Sequence, residues 1–304
     1  MLAIIIINYN KYEKTFECID TIKRSNCKDY IIYLLDNAST NNSYEILKKR
    51  YDNDNQIKLI KSTENVGYAN GNNLCIEYAE KDGCKYALIS NNDILYEKNT
   101  INELYKEIQK GEYLIIGPKV IHPDGKLQIS NKLKCPKFID YIKNETYINR
   151  FFKDSNYTIN KQCVYWIAGC AFIVNLEKFK KIDYFDKNTF LYYEEYIIAE
   201  KAQKNNMKIL YNPNIQVIHH HGASMGNVNV NVYLAHLQSE LYFWKKYKKL
   251  SNVKIKILIF IRRLEIKISL KKRKRMSEYE QYRLQSNKIF EEIVNCEEDN
   301  ENKN

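Results

Sequence analysis

Four short apolar runs near the start of the chain each give way to a cluster of amides and carboxylates. Ala3–Ile7 stops at Asn8-Tyr9-Asn10, Tyr30–Leu35 at Asp36-Asn37-Ala38-Ser39, and Tyr86–Ser90 at Asn91-Asn92-Asp93, while Ile57–Ile60 precedes the stretch from Asn65 to Asn72. Runs this short, without polar alternation, fit strands buried on both faces. Between them Tyr12, Phe16, Ile19 and Ile22 recur at helical spacing, a helix is expected around Tyr44–Tyr51, and another runs to about Ala79. Alternating strand and helix predicts an α/β fold with a mixed, mostly parallel sheet flanked by helices. Such sheets bind ligands at the carboxyl ends of their strands, so the polar clusters are expected to line one crevice.

The crevice is neither a P-loop nor a dinucleotide site. No GxxxxGK[ST] occurs, and Gly67 and Gly71 do not make GxGxxG. Carboxylate and amide side chains suit a nucleotide instead: Asp36 can accept from a ribose hydroxyl or a base N–H, and Asn65 can bond a base edge in either sense. Asp93 reads either as a turn residue or as part of a reacting site. Downstream, Phe190 to Glu195 precedes a helical stretch to about Gln203. A strand, Met207–Leu210, then leads to a second, Ile215–Ile218, ending in His219-His220-His221-Gly222-Ala223-Ser224. Acids at a helix start can merely complement the dipole. Of three consecutive histidines on extended backbone, at most His219 and His221 face one way, and a solvent-exposed run is the other reading.

With 304 residues, 44% hydrophobic and 28% charged, the chain is not disordered throughout. No stretch approaches the ~18–20 uncharged apolar residues that span a bilayer. The opening run lacks a basic flank and a cleavage site, so a cytoplasmic location is expected. Eight cysteines without a CxxC pair are expected as reduced, mostly buried thiols.

The net charge of +11 is concentrated. Lys245 to Arg275 holds fourteen Lys or Arg against Glu265 alone, a local charge of +13 that leaves −2 elsewhere. Apolar residues interleave with this charge, as in Phe243-Trp244-Lys245 and Ile257-Leu258-Ile259-Phe260-Ile261-Arg262. A solvated helix and a nucleic-acid contact are alternatives, but no zinc-finger, RNP or basic-zipper pattern accompanies the charge, so no nucleic acid is expected. An anionic membrane surface, contacted through residues 245–275, fits basic and apolar residues together. The tail 295–304 is polar and acidic and is expected to be disordered.

In order, the motifs Asn8-Tyr9-Asn10, Asp36-Asn37-Ala38-Ser39-Thr40, Asn65-Val66-Gly67-Tyr68-Ala69 with Gly71-Asn72-Asn73, Asn91-Asn92-Asp93, Trp166 to Phe172, Phe185-Asp186, Phe190 to Glu195, and His219 with Gly222 and Ser224 resemble the family 2 glycosyltransferases of the GT-A fold, in particular their rhamnosyltransferase-like branch. The resemblance covers residues 3 to about 250. It implies a GT-A domain at 1–240, with a nucleotide half at 1–120 and an acceptor and catalytic half at 121–240, and the charge pattern adds a basic amphipathic segment at 241–294. It also implies inverting transfer from a nucleotide-sugar donor to a glycan or lipid-linked acceptor, and the basic segment would hold the enzyme at the inner face of the cell membrane.

Carried over by position, Asn8, Asn10, Asp36, Asn37, Ser39, Asn65, Gly67, Asn72 and Asn92 would hold the nucleotide. Asp93 and His219 would hold Mg2+ or Mn2+. Glu195, beside Glu194, would be the general base, and Trp166, Gly169 and Cys170 would lie at the sugar or acceptor. Several positions depart from the pattern: Asn91 replaces the first metal-motif acid, the base is Glu rather than Asp, Asn42 stands where an acid is common, and Ile197, Ile198 and Lys201 replace the usual Asp, Leu and Arg. A catalytically degenerate nucleotide- or membrane-binding protein of the same fold is the alternative.

Overall fold

In the computed structural model, which describes residues 1–146, 155–220 and 230–301, the opening apolar run becomes strand β1 (Leu2–Asn8). Both its faces are buried because helices cover both sides of the sheet. Leu2, Ile4 and Ile6 share a core with Cys18, Ile19 and Ile22 of α1 (Tyr12–Lys23). Ala3 and Ile5 share another with Ala69, Cys75, Ile76 and Ala79 of α3 (Gly67–Lys81). Each buried Ile or Leu contributes about 1.5–3 kcal/mol, so the run with no polar interruption is what places β1 at the centre.

The other elements of this layer are β2 (Tyr30–Asp36), α2 (Ser43–Tyr51), β3 (Ile57–Lys61), β4 (Tyr86–Asn91), β5 (Ile94–Tyr96), α4 (Thr100–Ile108), β6 (Ile115–Ile121) and β7 (Leu127–Gln128). They are followed by β8 (Asn131–Lys132), β9 (Gln162–Val164), β10 (Trp166–Ile167), β11 (Ala171–Asn175), α6 (Leu176–Lys181), α7 (Glu194–Lys204) and β12 (Ile209–His219). The main sheet runs β3-β2-β1-β4-β11-β6-β12-β5, with β7 on β6 and β9 on β12, while β8 and β10 pair separately. β3, β2, β1 and β4 are parallel, and the register sets Asn8 opposite Asp36 and Ile7 opposite Asn91. Three of the polar clusters therefore lie level along one edge. β11 enters antiparallel between β4 and β6.

The two strands expected at Met207–Leu210 and Ile215–Ile218 form one, β12, whose register against β6 shifts between Asn212 and Gln216. Pro213 lies in that gap. Lacking an N–H, it interrupts the ladder without ending the strand.

The chain divides into two compact units, each described over its described residues: Met1–Cys135, Asn156–Phe190 and Glu194–Ala223, and then Pro136–Ser155, Leu191–Tyr193 and Ser224–Asn304. The second unit contains α5 (Phe138–Glu145), α8 (Val230–Tyr242), a π-helical turn (Phe243–Tyr247), α9 (Asn252–Lys272) and α10 (Ser277–Glu301). The boundary expected at 240 falls within α8. In this unit Glu240 is fully buried and receives Arg262, Nε to Oε2 at 2.9 Å and Nη2 to Oε1 at 2.7 Å, and it also accepts from Tyr141 and Tyr193. Burial pushes the Glu240 carboxyl up, but Arg262, His236 and Tyr141 more than offset it and leave it below the ordinary range. Trp244 packs on Tyr141 and Phe138 at 4.9 and 5.4 Å between ring centres.

The tail expected from residue 295 begins inside α10, which runs to Glu301; 302–304 lie outside the described residues. Buried Tyr282, Ser286 and Ile289 anchor α10 along one face, and propagating an anchored helix costs little. Cys18, Cys27, Cys75, Cys84 and Cys170 are buried free thiols, and Cys163 is exposed.

Candidate active site

At the carboxyl ends of β1 and β2, Asn8 and Asp36 are fully buried and tie two loops together. Asn8 Nδ2 donates to Asp36 Oδ2 at 2.9 Å, and Ser39 donates to both Asp36 oxygens, through Oγ at 2.6 Å and N at 3.1 Å. Asn10 N donates to Ser39 Oγ at 2.9 Å, and Thr15 Oγ1 donates to Asn8 Oδ1 at 2.9 Å. Asp36 thus spends most of its acceptor capacity on Asn8 and Ser39, with one acceptor direction left on Oδ1. Asn10 and Ala38 have φ of 60° and 57°. For Ala38, without a side-chain hydrogen bond to offset it, this left-handed backbone costs ~1–2 kcal/mol, strain of the kind found at ligand loops.

The third cluster is organised the same way. Asn37 donates to Asn65 Oδ1 at 3.0 Å and accepts from Val66 N at 3.0 Å, while Gly67 N donates to Asn65 Oδ1 at 3.0 Å. Gly67 has φ +79°, and a Cβ there would lie 2.2 Å from the Phe190 carbonyl oxygen. Tyr68 N donates to that same oxygen at 2.8 Å, which pins the loop between α6 and α7 to the start of α3. Asn72 donates to Tyr68 O at 2.9 Å and is buried within the helix, so it faces α3 rather than the crevice. Asn92 reaches Thr15 Oγ1 at 3.0 Å. Asn10, Ser39, Asn65 and Asn92 are the partly exposed members of the set, and Asn8, Asp36, Asn37 and Gly67 are the buried frame behind them.

Asp93 and His219 meet because β5, directly after Asp93, pairs antiparallel with the end of β12, setting Ile94 opposite His219. His220 N donates to the Asp93 carbonyl at 3.0 Å. His219 Nδ1 lies 2.9 Å from Gln128 Oε1, an acceptor, so Nδ1 carries the ring proton. The other ring nitrogen, Nε2, lies 3.2 Å from Asp93 Oδ1, a buried oxygen that accepts no hydrogen bond from the described residues. An imidazole nitrogen and a carboxylate oxygen at this separation can share a proton or a cation. The pair therefore fits a divalent cation bound by one carboxylate oxygen and one imidazole nitrogen, with Gln128 fixing the ring behind it. Among the described residues no cluster of three or more His, Cys, Asp or Glu could hold a metal, so remaining positions would fall to substrate and water. His221, Gly222 and Ser224 lie outside the described residues.

Glu195 lies in the first turn of α7, and its Oε1 accepts from Gly169 N at 2.7 Å. Tyr68 OH donates to Gly169 O at 2.6 Å, holding the other side of that residue. A Cβ on Gly169 would lie 2.2 Å from Glu195 Oε1, so only glycine allows this contact. Ile115, Ile167, Phe172, Ile198 and Ile209 line a cavity beside Glu195. Burial pushes its carboxyl up, and the Gly169 N–H pulls part of that back. Glu194, in the same turn, is buried. Next to Gly169, the Cys170 carbonyl accepts from Asn91 N at 2.8 Å. The Cys170 thiol is pushed up to about 12 by burial first, and then by Glu195 and Asp93. Trp166 packs on Tyr196 at 5.5 Å, and its buried Nε1–H has no acceptor among the described residues.

Three contributors were not evident from the residues alone. Tyr68 lies inside a motif that pointed to the nucleotide, yet its hydroxyl serves Gly169. Gln128 sits on a two-residue strand without any sequence signature. Asn73 brackets the Phe185 backbone, donating to its O at 3.0 Å and accepting from its N at 3.2 Å. Lys201, in place of Arg, donates to the carbonyls of Asp183 and Tyr184 at 3.0 and 3.1 Å, so this position latches a loop whose two residues have positive φ.

The family model described as glycosyl transferase family 2 matches residues 3–175, more than half of the chain. The chain belongs to glycosyltransferase family 2. Among curated relatives of this family 2 chain, the low-salt glycan biosynthesis hexosyltransferase Agl10 of Haloferax volcanii is 26% identical over 216 residues, covering 68% of this chain and 63% of that protein. Rhamnosyltransferase WbbL of Escherichia coli K12 is 22% identical over 249 residues, covering 74% and 91%. Of solved structures, GalNAc-T7 with UDP, GalNAc and Mn2+ superposes with a TM-score of 0.62 at 15% identity, over 82% of this chain and 50% of that one. Staphylococcus aureus TarS with UDP-GlcNAc gives 0.55 at 16%, over 84% and 70%. The family 2 chain thus has the GT-A fold with a helical C-terminal extension, and it spans less than two thirds of the length of Agl10 and of GalNAc-T7.

Proposed function

We propose that this chain transfers a sugar, with inversion, from a nucleotide-sugar to a hydroxyl of a glycan or lipid-linked acceptor at the inner face of the cell membrane. The observation that carries the reading is the seating of Glu195 on the Gly169 amide, one residue before the Cys170 carbonyl that accepts from Asn91 N at the start of the Asn91-Asn92-Asp93 cluster. Family membership and relatives named as a hexosyltransferase and a rhamnosyltransferase support it.

Asn10, Ser39, Asn65 and Asn92 hold the nucleotide on the frame of Asn8, Asp36, Asn37 and Gly67. Asp93 and His219 hold Mg2+ or Mn2+, which when bound neutralises charge developing on the departing diphosphate. Glu195 takes the proton from the acceptor hydroxyl, a contribution typically of ~10²–10⁴-fold. Its raised affinity for protons makes it a stronger base than an exposed carboxylate, and Glu194 is its buried neighbour. Trp166, Gly169 and Cys170 border the sugar or acceptor, and the Trp166 N–H is an available donor there. The basic C-terminal helices keep the enzyme near an anionic membrane that carries lipid-linked acceptors.

The test is a thermal-shift screen of UDP-, dTDP- and GDP-sugars with and without Mn2+, followed by NMR of the product's anomeric configuration with the donor that binds. Metal-dependent stabilisation and an inverted product are expected. A chain that no nucleotide-sugar stabilises, or a product with retained configuration, would overturn the reading.

A further inference from the structure

Helix α9 carries apolar residues on two opposite faces. Ile255, Leu258, Ile259, Ile266 and Leu270 are buried, packed within the second unit beside α8 and α10. Val253, Ile257, Phe260, Leu264 and Ile268 are not: they are 68, 47, 62, 46 and 47% exposed. At about 100° per residue, this second set falls within a sector of about 80° and runs about 22 Å along the helix. A continuous exposed apolar strip of this kind marks an interaction surface rather than scattered surface residues.

Charge decides what it meets. The same helical geometry sets exposed Lys256 and Lys267 along one border of the strip and exposed Lys254 and Lys272 along the other. The one acid of the helix, Glu265, is paired with Arg262 at 2.6 Å. Lysines bordering an apolar strip bury their methylene stems and lift their ammonium groups to a layer of phosphates. A second copy docked through the same strip would bring two sets of lysines together, which repel.

We infer that Val253, Ile257, Phe260, Leu264 and Ile268 form the face with which this chain enters the interface of an anionic bilayer, α9 lying in the membrane plane with Lys254, Lys256, Lys267 and Lys272 on headgroup phosphates. The inference rests on the membrane attachment proposed above and assigns it to particular side chains. None of them belongs to the residues assigned to the transfer reaction.

Co-sedimentation of the full chain with phosphatidylcholine vesicles, with and without phosphatidylglycerol, tests it. The wild type is expected to pellet with the anionic vesicles. The triple variant Ile257→Ser, Phe260→Ser, Leu264→Ser, altered on a solvated face, is expected to partition at least about tenfold less, with unchanged nucleotide- and Mn2+-dependent thermal shifts. A second variant, Lys254→Gln, Lys256→Gln, Lys267→Gln, is expected to lose roughly fivefold per lysine on anionic vesicles alone. Wild-type pelleting by the serine variant would overturn the assigned face while leaving membrane attachment through the basic segment standing. A wild type that stays in the supernatant would overturn both. A wild-type dimer that the serine variant dissociates, without vesicle binding, would give the face to a second copy and overturn the inference.

Discussion

Gly169 and Glu195 approach so closely that one methyl group separates a seated carboxylate from a displaced one. In Gly169→Ala the new Cβ would meet Glu195 Oε1 at 2.2 Å, and Oε1 is the far end of a flexible side chain. Glu195 would swing away, so thermal stability is expected to change by less than ~1 kcal/mol. Turnover is expected to fall about 100-fold, the scale of a 1 Å misplacement. Steady-state kinetics should show the loss in kcat more than in KM. The same seat has a pH signature. A base must be deprotonated to act, and burial raises the Glu195 carboxyl above its ordinary value. Activity is therefore lost as pH falls through that raised value, and the acid limb of the kcat/KM profile is expected above the ordinary carboxylate range. A limb at or below ~4.3 would mean that Glu195 is not the titrating base.

At the scale of elements, the contact between the start of α3 and the loop before α7 depends on Gly67. Its φ of +79° and the Phe190 carbonyl 2.2 Å from any Cβ leave no flexible atom to yield. Gly67→Ala is expected to destabilise by at least ~2 kcal/mol, read by urea unfolding. Within the second unit, Arg262→Ala would strand the buried Glu240 carboxylate, an expected cost of ~3–5 kcal/mol. Truncation of Arg262 with no measurable loss would show that the pair does not hold α8 to α9.

Elements built from uninterrupted apolar runs were legible in the residues, because β1 to β4 and α1 to α3 draw their burial from local pattern. Less local features were not. The insertion of β11 between β4 and β6 is a pairing of residues distant in sequence, and the continuity of β12 across Pro213 depends on its neighbour β6. In the site, the polar clusters and both acids could be picked out by type. That Asp36 and Asn8 face each other as a frame, and that Gln128 sets the His219 tautomer, could not, since hydrogen-bond partners 28 and 91 residues apart leave no spacing to read.

On the whole chain, charge and chemistry are segregated. Residues 245–275 carry +13, whereas the rest carries −2 and includes every residue assigned to donor, metal or proton transfer. Salt should therefore weaken vesicle binding strongly, because surface charges are screened within about 8 Å at physiological ionic strength, while donor binding in the absence of membrane changes little. Glu195 is tested most directly by comparing turnover and donor binding in Glu195→Gln, which keeps the side chain's size and its acceptor for the Gly169 amide. Turnover at least ~100-fold below wild type, with the Mn2+-dependent affinity for the nucleotide-sugar unchanged, is the predicted result. Wild-type turnover in that variant would contradict the assignment of Glu195 as the base and the site built around it.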